Sequence, residues 1–299
     1  MPPRSATLRL DGPLDARLTF GLHRHGPRDP SVRIEADGLW RATLTPEGPA
    51  TIRLDISEAV VDARAWGRGA GWALDRLDVF VGAHDVSTLV PHHVAVKDLQ
   101  RRLIGLRIGA SYAVMEALVP AILEQKVTSH EAHESYRRLV YALGELAPGP
   151  MKLRVPPAPD VLAAQPYWVF HRFGIERKRA DVIKAVCSRA GRLEECIDLT
   201  ADEAFRRLTH FTGVGPWTAA EVAARAFGDP DAVSVGDFHL PHLVAWVLAG
   251  EPRATDARML ELLEPYRGQR GRVIRLIESG ATRRPRRAPR RRIRSIEAI

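Results

Sequence analysis

The chain has 299 residues, 45% of them hydrophobic, enough to bury one large core or two modest ones. No run approaches the ~20 uninterrupted apolar residues of a membrane-crossing helix, and the opening Met1-Pro-Pro-Arg-Ser lacks the apolar stretch of a secretion signal, so a cytoplasmic setting with no membrane partner is expected. The net charge of +8 sits at one end: eight arginines and one glutamate follow Gly280, which leaves +1 for everything before them.

In chain order, β-like runs occupy residues 6–10, 17–22, 31–36, 39–44 and 50–56, with turn signals at Asp11-Gly12-Pro13, Gly26-Pro27, Asp37-Gly38 and Pro46-Glu47-Gly48-Pro49. Asp37-Gly38 between two such runs predicts a hairpin. Residues 60–85, including Ala63-Arg-Ala-Trp-Gly-Arg-Gly-Ala-Gly-Trp, read as helix or loop. From about Pro91 the apolar spacing turns to threes and fours, over 112–127, 132–146, 179–190, 201–208, 217–227, 240–248 and 273–277. Thr200-Ala-Asp-Glu203 is a capping box that fixes one helix start, and the proline-rich 148–159 reads as a crossing between helices. The tail Thr282-Arg-Arg-Pro-Arg-Arg-Ala-Pro-Arg-Arg-Arg-Ile-Arg294 is too charged and too proline-broken to pack, so a disordered basic arm is expected, either holding a polyanion or merely solubilising. The expected architecture is α+β, with an antiparallel β-rich N-terminal domain over 1–90, an all-helical domain over 91–280 and the flexible tail over 281–299. Cys187 and Cys196 lie in helical stretches with no CxxC or paired histidine, which supports no disulfide, zinc or iron–sulfur site.

The informative segment is Leu208-Thr-His-Phe-Thr-Gly-Val-Gly-Pro-Trp-Thr-Ala-Ala-Glu-Val222, where a capped helix runs into Gly213-Val214-Gly215 and a second helix opens at Pro216. Glycine permits the close turn, and proline suits a first helical position whose amide has no partner anyway. The unpaired amides of such a helix start form a phosphate site that needs no lysine, so a nearly neutral body can still hold a nucleic-acid backbone. Twenty residues after Trp217 comes Ser234-Val-Gly-Asp-Phe-His239, with Asp237 at the mouth of the next helix. Taken alone, an aspartate there is a helix cap. After a hairpin and an apolar helix, it also places an anion beside the bound backbone.

The order Phe211-Thr-Gly-Val-Gly-Pro-Trp-Thr-Ala219 followed by Val235-Gly-Asp237 resembles the helix-hairpin-helix signature of the HhH-GPD DNA glycosylases, and most of all their 3-methyladenine DNA glycosylase II branch. Val119-Pro-Ala-Ile-Leu-Glu-Gln-Lys-Val-Thr128 is similar to that branch's first catalytic-domain helix. The resemblance implies a monofunctional base-excision enzyme acting on damaged, alkylated bases in double-stranded DNA, working as a monomer and associated with the nucleoid in a bacterium. Asp237 would be catalytic. Gly213, Val214, Gly215, Thr218, Gln125, Lys126 and Thr128 would meet DNA, with Lys126 where relatives insert a wedge. Trp217, Glu221, Trp168 and Phe238 would line the base pocket, with Trp66 a further aromatic candidate. No cofactor or iron–sulfur cluster is implied beyond a monovalent cation held by the carbonyls of Thr209, Phe211 and Val214.

Two departures stand out. Strand-cutting relatives carry a lysine where this chain has Trp217, and the aromatic cage of the alkylpurine enzymes is replaced by Glu221 and, more loosely, Arg275. The competing readings are a non-catalytic helix-hairpin-helix DNA-binding protein and a lyase that uses Lys126.

Overall fold

A computed structural model describes residues 2–281; the Arg-rich tail expected to be a flexible arm lies, from Thr282 on, outside the described residues. Five strands, β1 (Arg4–Arg9), β2 (Val32–Glu35), β3 (Gly38–Thr45), β4 (Gly48–Ser57) and β5 (Val60–Gly67), pair antiparallel in the order β1-β5-β4-β3-β2. Two-residue turns join β2 through β5, since Glu35 pairs with Gly38, Thr45 with Gly48 and Ser57 with Val60. Gly38 opens β3 where a Cβ would stand 1.8 Å from Leu54 O, so only glycine fits the approach of β4.

Two elements differ from the sequence reading. Residues 17–22 do not extend as a strand; α1 (Ala16–Phe20) forms instead because Asp15 Oδ1 accepts from the amides of Arg17 at 2.8 Å and Leu18 at 2.9 Å, an N-cap that outweighs β-like composition. Residues 60–67 are neither helix nor loop. In β5 the buried Val61, Ala63 and Ala65 alternate with exposed Asp62 and Arg64, a period of two carried by alanine and therefore faint in the sequence. With α2 (Ala70–Asp75) and α3 (Leu77–Phe80), α1 covers one face of the sheet over Leu14, Phe20, Leu39, Leu54, Val61 and Phe80.

The rest is helical: α4 (Val94–Arg102), α5 (Val114–Glu124), α6 (Ser129–Leu143), α7 (Pro159–Ala164), α8 (Tyr167–His171), α9 (Arg177–Cys187), α10 (Ala190–Glu194), α11 (Ala201–Thr209), α12 (Pro216–Val222), α13 (Leu240–Ala249), α14 (Asp256–Leu263) and α15 (Arg270–Gly280). The Thr200–Glu203 capping box starts α11 as the sequence predicts. The proline-rich crossing carries one bridge, Leu146 to Arg154, and sets Ala147, Leu153 and Val155 against Ala42 of β3. Among the described residues no helix is long and apolar enough to cross a membrane. Both cysteines are buried thiols, and burial pushes Cys187 up to about 12.

Two cores divide these helices. Leu118, Ile122, Leu139, Ile183, Leu208 and Val222 join α5, α6, α9, α11 and α12, whereas Val96, Leu99, Val244, Met259, Leu263 and Ile277 join α4, α13, α14 and α15. The helix after the hairpin and the helix entered at Asp237 therefore belong to different cores. The site lies on the seam between them.

Candidate active site

The hairpin is built from local necessity. Val214 N donates to Phe211 O at 2.9 Å to close the turn after α11, and Thr209 Oγ1 turns back to Phe205 O at 2.8 Å. Gly213 sits at φ +96°, and a Cβ there would come within 2.4 Å of Val182 Cγ2, so both conformation and space call for glycine. Gly215 is extended, with nothing within 4 Å of where a Cβ would be. The first bond of α12 is Ala219 N to Gly215 O at 3.0 Å, which leaves the amides of Trp217 and Thr218 in the unpaired first turn.

The residues expected to meet DNA divide into braces and open groups. Gln125 Nε2 donates to Gly213 O at 2.8 Å and to Thr218 Oγ1 at 2.9 Å, clamping the hairpin to the end of α5. Thr218 is 1% exposed, so its side chain faces inward and only its backbone is placed to face a phosphate. Thr128 caps α6 in a capping box with Glu131, its hydroxyl accepting from Glu131 N at 3.3 Å. Lys126 is exposed and holds φ +58°, the left-handed region, at the outer edge of this group.

Asp237 serves two purposes with two oxygens. Its Oδ1 accepts from the amides of His239 at 2.7 Å and Leu240 at 2.8 Å, which caps the entry to α13 as a helix-start aspartate should. Its Oδ2 accepts from Trp217 Nε1 at 3.2 Å, across from the start of α12. Gly236, at φ +96°, makes the sharp entry possible. Trp217 is half-buried and hydrogen-bonded at the seam, rather than sealed in a core. Phe238 is 78% exposed, with its ring edge-on to His239 at 4.9 Å between centroids. Trp168 on α8 is 60% exposed, and Trp66 stacks on Trp40 across the sheet at 5.6 Å.

A charged wall continues from the Trp217–Asp237 pair. Trp217, Glu221 and Arg225 follow one another at i, i+4 and i+8, so they share one helix face through the π-turn at Ala223–Phe227. Glu221 accepts from Ser234 Oγ with one oxygen and pairs with Arg225 through the other. Arg225 Nε reaches Leu22 O at 3.0 Å, and Arg275 Nη2 on α15 reaches Leu18 O at 2.5 Å. Burial opposes charge on Arg225, but Glu221 and Glu124 outweigh it and its pKa rises. Burial and the nearby Arg225 and Arg272 bring Arg275 down to about 10 despite Glu278. Glu278, reached by solvent yet surrounded by this wall, is pushed up to about 7 by desolvation and then by the charges of Glu221 and Asp237. Sequence reasoning missed Arg225, Ser234 and Glu278. The i+8 spacing from Trp217 was the one signal available, and it pointed to Arg225.

No family model matches the chain. It is 29% identical over 141 residues to the "Probable bifunctional transcriptional activator/DNA repair enzyme AlkA" of Mycobacterium tuberculosis, a match that takes in 46% of this chain and 28% of that protein, so the chain spans well under half of this relative's length. Among solved structures it resembles the 3-methyladenine DNA glycosylase of Archaeoglobus fulgidus, with a TM-score of 0.77 at 18% identity over 91% of this chain and 97% of that one. The apo 8-oxoguanine glycosylase/lyase of Clostridium acetobutylicum superposes with a TM-score of 0.72 at 14% identity, over 92% and 96% of the two chains. The α+β architecture matches these folds over about nine-tenths of the chain. The chain is thus similar in sequence to a protein named AlkA and has the fold of these DNA glycosylases, in keeping with the resemblance read from the hairpin and its aspartate.

Proposed function

We propose that the chain is a monofunctional DNA glycosylase, which hydrolyses the N-glycosidic bond of alkylated bases in double-stranded DNA and leaves an abasic site. The observation that carries this reading is the carboxylate of Asp237, fixed by two backbone amides and an indole N–H at the seam beside the hairpin. As a base departs, the sugar gains oxocarbenium character, and an anion already oriented beside it stabilises that charge without reorganising. Three donors keep Asp237 from turning away while a water attacks. Alkylated purines leave readily, so such a site needs no strong general acid. Strand-cutting enzymes of this fold place a lysine where this chain has Trp217. An indole forms no Schiff base, so hydrolysis is the end of the reaction.

The same turn would seat the flanking phosphates on the amides of Gly215, Trp217 and Thr218, with Lys126 reaching into or along the duplex where the base has swung out. The carbonyls of Thr209, Phe211 and Val214 offer oxygen donors of the kind a monovalent cation takes, and such an ion would stiffen the turn. A nucleoid setting in the cytoplasm follows from the reading.

The test is direct. On methylated duplex DNA the protein should liberate 3-methyladenine while the strand stays intact until it is heated in alkali, and borohydride should trap no adduct. A trapped adduct would assign lyase chemistry to Lys126. No release from methylated, hypoxanthine, uracil or 8-oxoguanine duplexes would leave a DNA-binding protein in which Asp237 is only a helix cap.

A further inference from the structure

Five charged groups meet along the seam, and four have protein partners. Asp237 is held by Trp217, His239 and Leu240; Glu221 by Ser234 and Arg225; Arg225 also by Leu22 O; and Arg275 by Leu18 O. Glu278 is the exception: among the described residues its carboxylate has no hydrogen-bond or ion-pair partner. Arg275 lies three residues before it on the same helix face, but its guanidinium is drawn to the carbonyl of Leu18. On α15, Ile274 and Ile277 pack into the core shared with Leu240 and Val244 of α13, the helix that Asp237 caps, and Arg275 beside them reaches Leu18 O while Arg225 reaches Leu22 O four residues on. Glu278 follows Arg275 by one turn of α15, and the charges of Glu221, Asp237, Arg225 and Arg275 act on it.

We propose that Glu278 is a specificity-determining residue of the base pocket, its unpaired carboxylate held for the positive charge of an alkylated base. The proposal rests on the glycosylase reading above. In the empty protein water hydrates the carboxylate. A base that fills the pocket strips this water away, and an anion left dry and unpaired opposes binding. A purine alkylated at N3 is cationic while still joined to the sugar, so it offsets the loss. A neutral base does not. Selection here works by penalising neutral bases, and it takes the place of the aromatic cage that Glu221 and Arg275 displace.

The groups facing Glu278 set its pH range. They are Glu221 and Arg225 from α12 and its π-turn, Asp237 from the entry to α13, and Arg275 from its own helix, while Arg102 of α4 reaches Gly280 O at 3.2 Å near the helix end and is itself paired with Asp98. With the carboxyl pushed up to about 7, the preference for a cation grows as pH rises through that value.

The experiment measures kcat/KM for release of cationic 3-methyladenine and neutral hypoxanthine from duplex DNA at pH 6 and pH 8, in the wild type, E278Q and E278D, with thermal melts to confirm folding. The 3-methyladenine-to-hypoxanthine ratio should be larger at pH 8 in the wild type, fall about tenfold in E278Q without pH dependence, and return largely in E278D. A wild-type ratio retained by E278Q at both pH values would overturn the proposal. Should E278Q fail to fold, a flat wild-type ratio would overturn it equally. A wild type that releases neither base would instead remove the glycosylase reading on which the proposal stands.

Discussion

Glu116 and Glu278 are both glutamates set among arginines, yet the molecule uses them in opposite ways. Glu116, on α5, closes the junction between sheet and helices: one oxygen pairs with Arg41 Nη2 at 2.8 Å, while the other accepts from Thr43 Oγ1 and Leu44 N, both at 2.7 Å. Glu278, on the seam, has no hydrogen-bond or ion-pair partner among the described residues. A carboxylate whose bonds are all made within the chain stabilises one arrangement and is unavailable for anything else. One that stands unpaired among satisfied neighbours costs stability unless something outside the chain meets it. The difference separates the scaffold from the site.

Glu116→Ala strands the buried Arg41 guanidinium and two further donors, and should destabilise the protein by about 3–5 kcal/mol in urea unfolding, while folded molecules at low temperature release base at the wild-type rate. At the site the effect should reverse. Trp217→Phe removes the indole N–H from Asp237 and should lower kcat/KM by about ten- to a hundredfold, the worth of ~1.5–3 kcal/mol for a hydrogen bond to a charged group, with little change in melting temperature. Between these cases, Gly213→Ala should destabilise by roughly 1–3 kcal/mol, because it forces a Cβ toward Val182 at a positive φ, and it should weaken duplex binding measured by fluorescence anisotropy.

Because the folded Glu278 carboxyl is raised to about 7 from its ordinary 4.5, the native state holds its proton over a range where the unfolded chain has released it. Stability therefore falls as pH climbs from about 4.5 to about 7 and stays lowered above that. Glu278→Gln removes this decline, so urea unfolding should show the variant gaining on the wild type between pH 5 and pH 8. A gap that does not widen would mean Glu278 is better satisfied than its surroundings indicate.

The sequence disclosed what is local. The β-like runs of β2, β3 and β4 with the turns between them, the Thr200 capping box, the Gly213–Gly215 turn and the Gly236-Asp237 helix entry were all legible because each is written within a few neighbouring residues. Short elements escaped. Alanines disguised β5, one aspartate cap overrode the β-like composition of α1, and helices such as α7, α8 and α10 are too brief to show a period. The charged wall was hidden for another reason. Arg225 meets Leu22 and Arg275 meets Leu18 across more than two hundred residues, a pairing that the packing of α12 and α15 against the N-terminal region creates and no local pattern announces. On α8 aromatic spacing marked a helix but did not say which ring would turn inward: Phe170 is fully buried while Trp168 is 60% exposed.

In the proposed reaction an anion at position 237, aimed by Trp217 and two amides, drives departure of the base. The most direct measurement is single-turnover release of 3-methyladenine from methylated duplex by Asp237→Asn, beside duplex affinity measured on the same preparation. Release should drop by about a thousandfold with binding retained or tightened. Release at the wild-type rate would remove the carboxylate from the chemistry and leave it a helix cap.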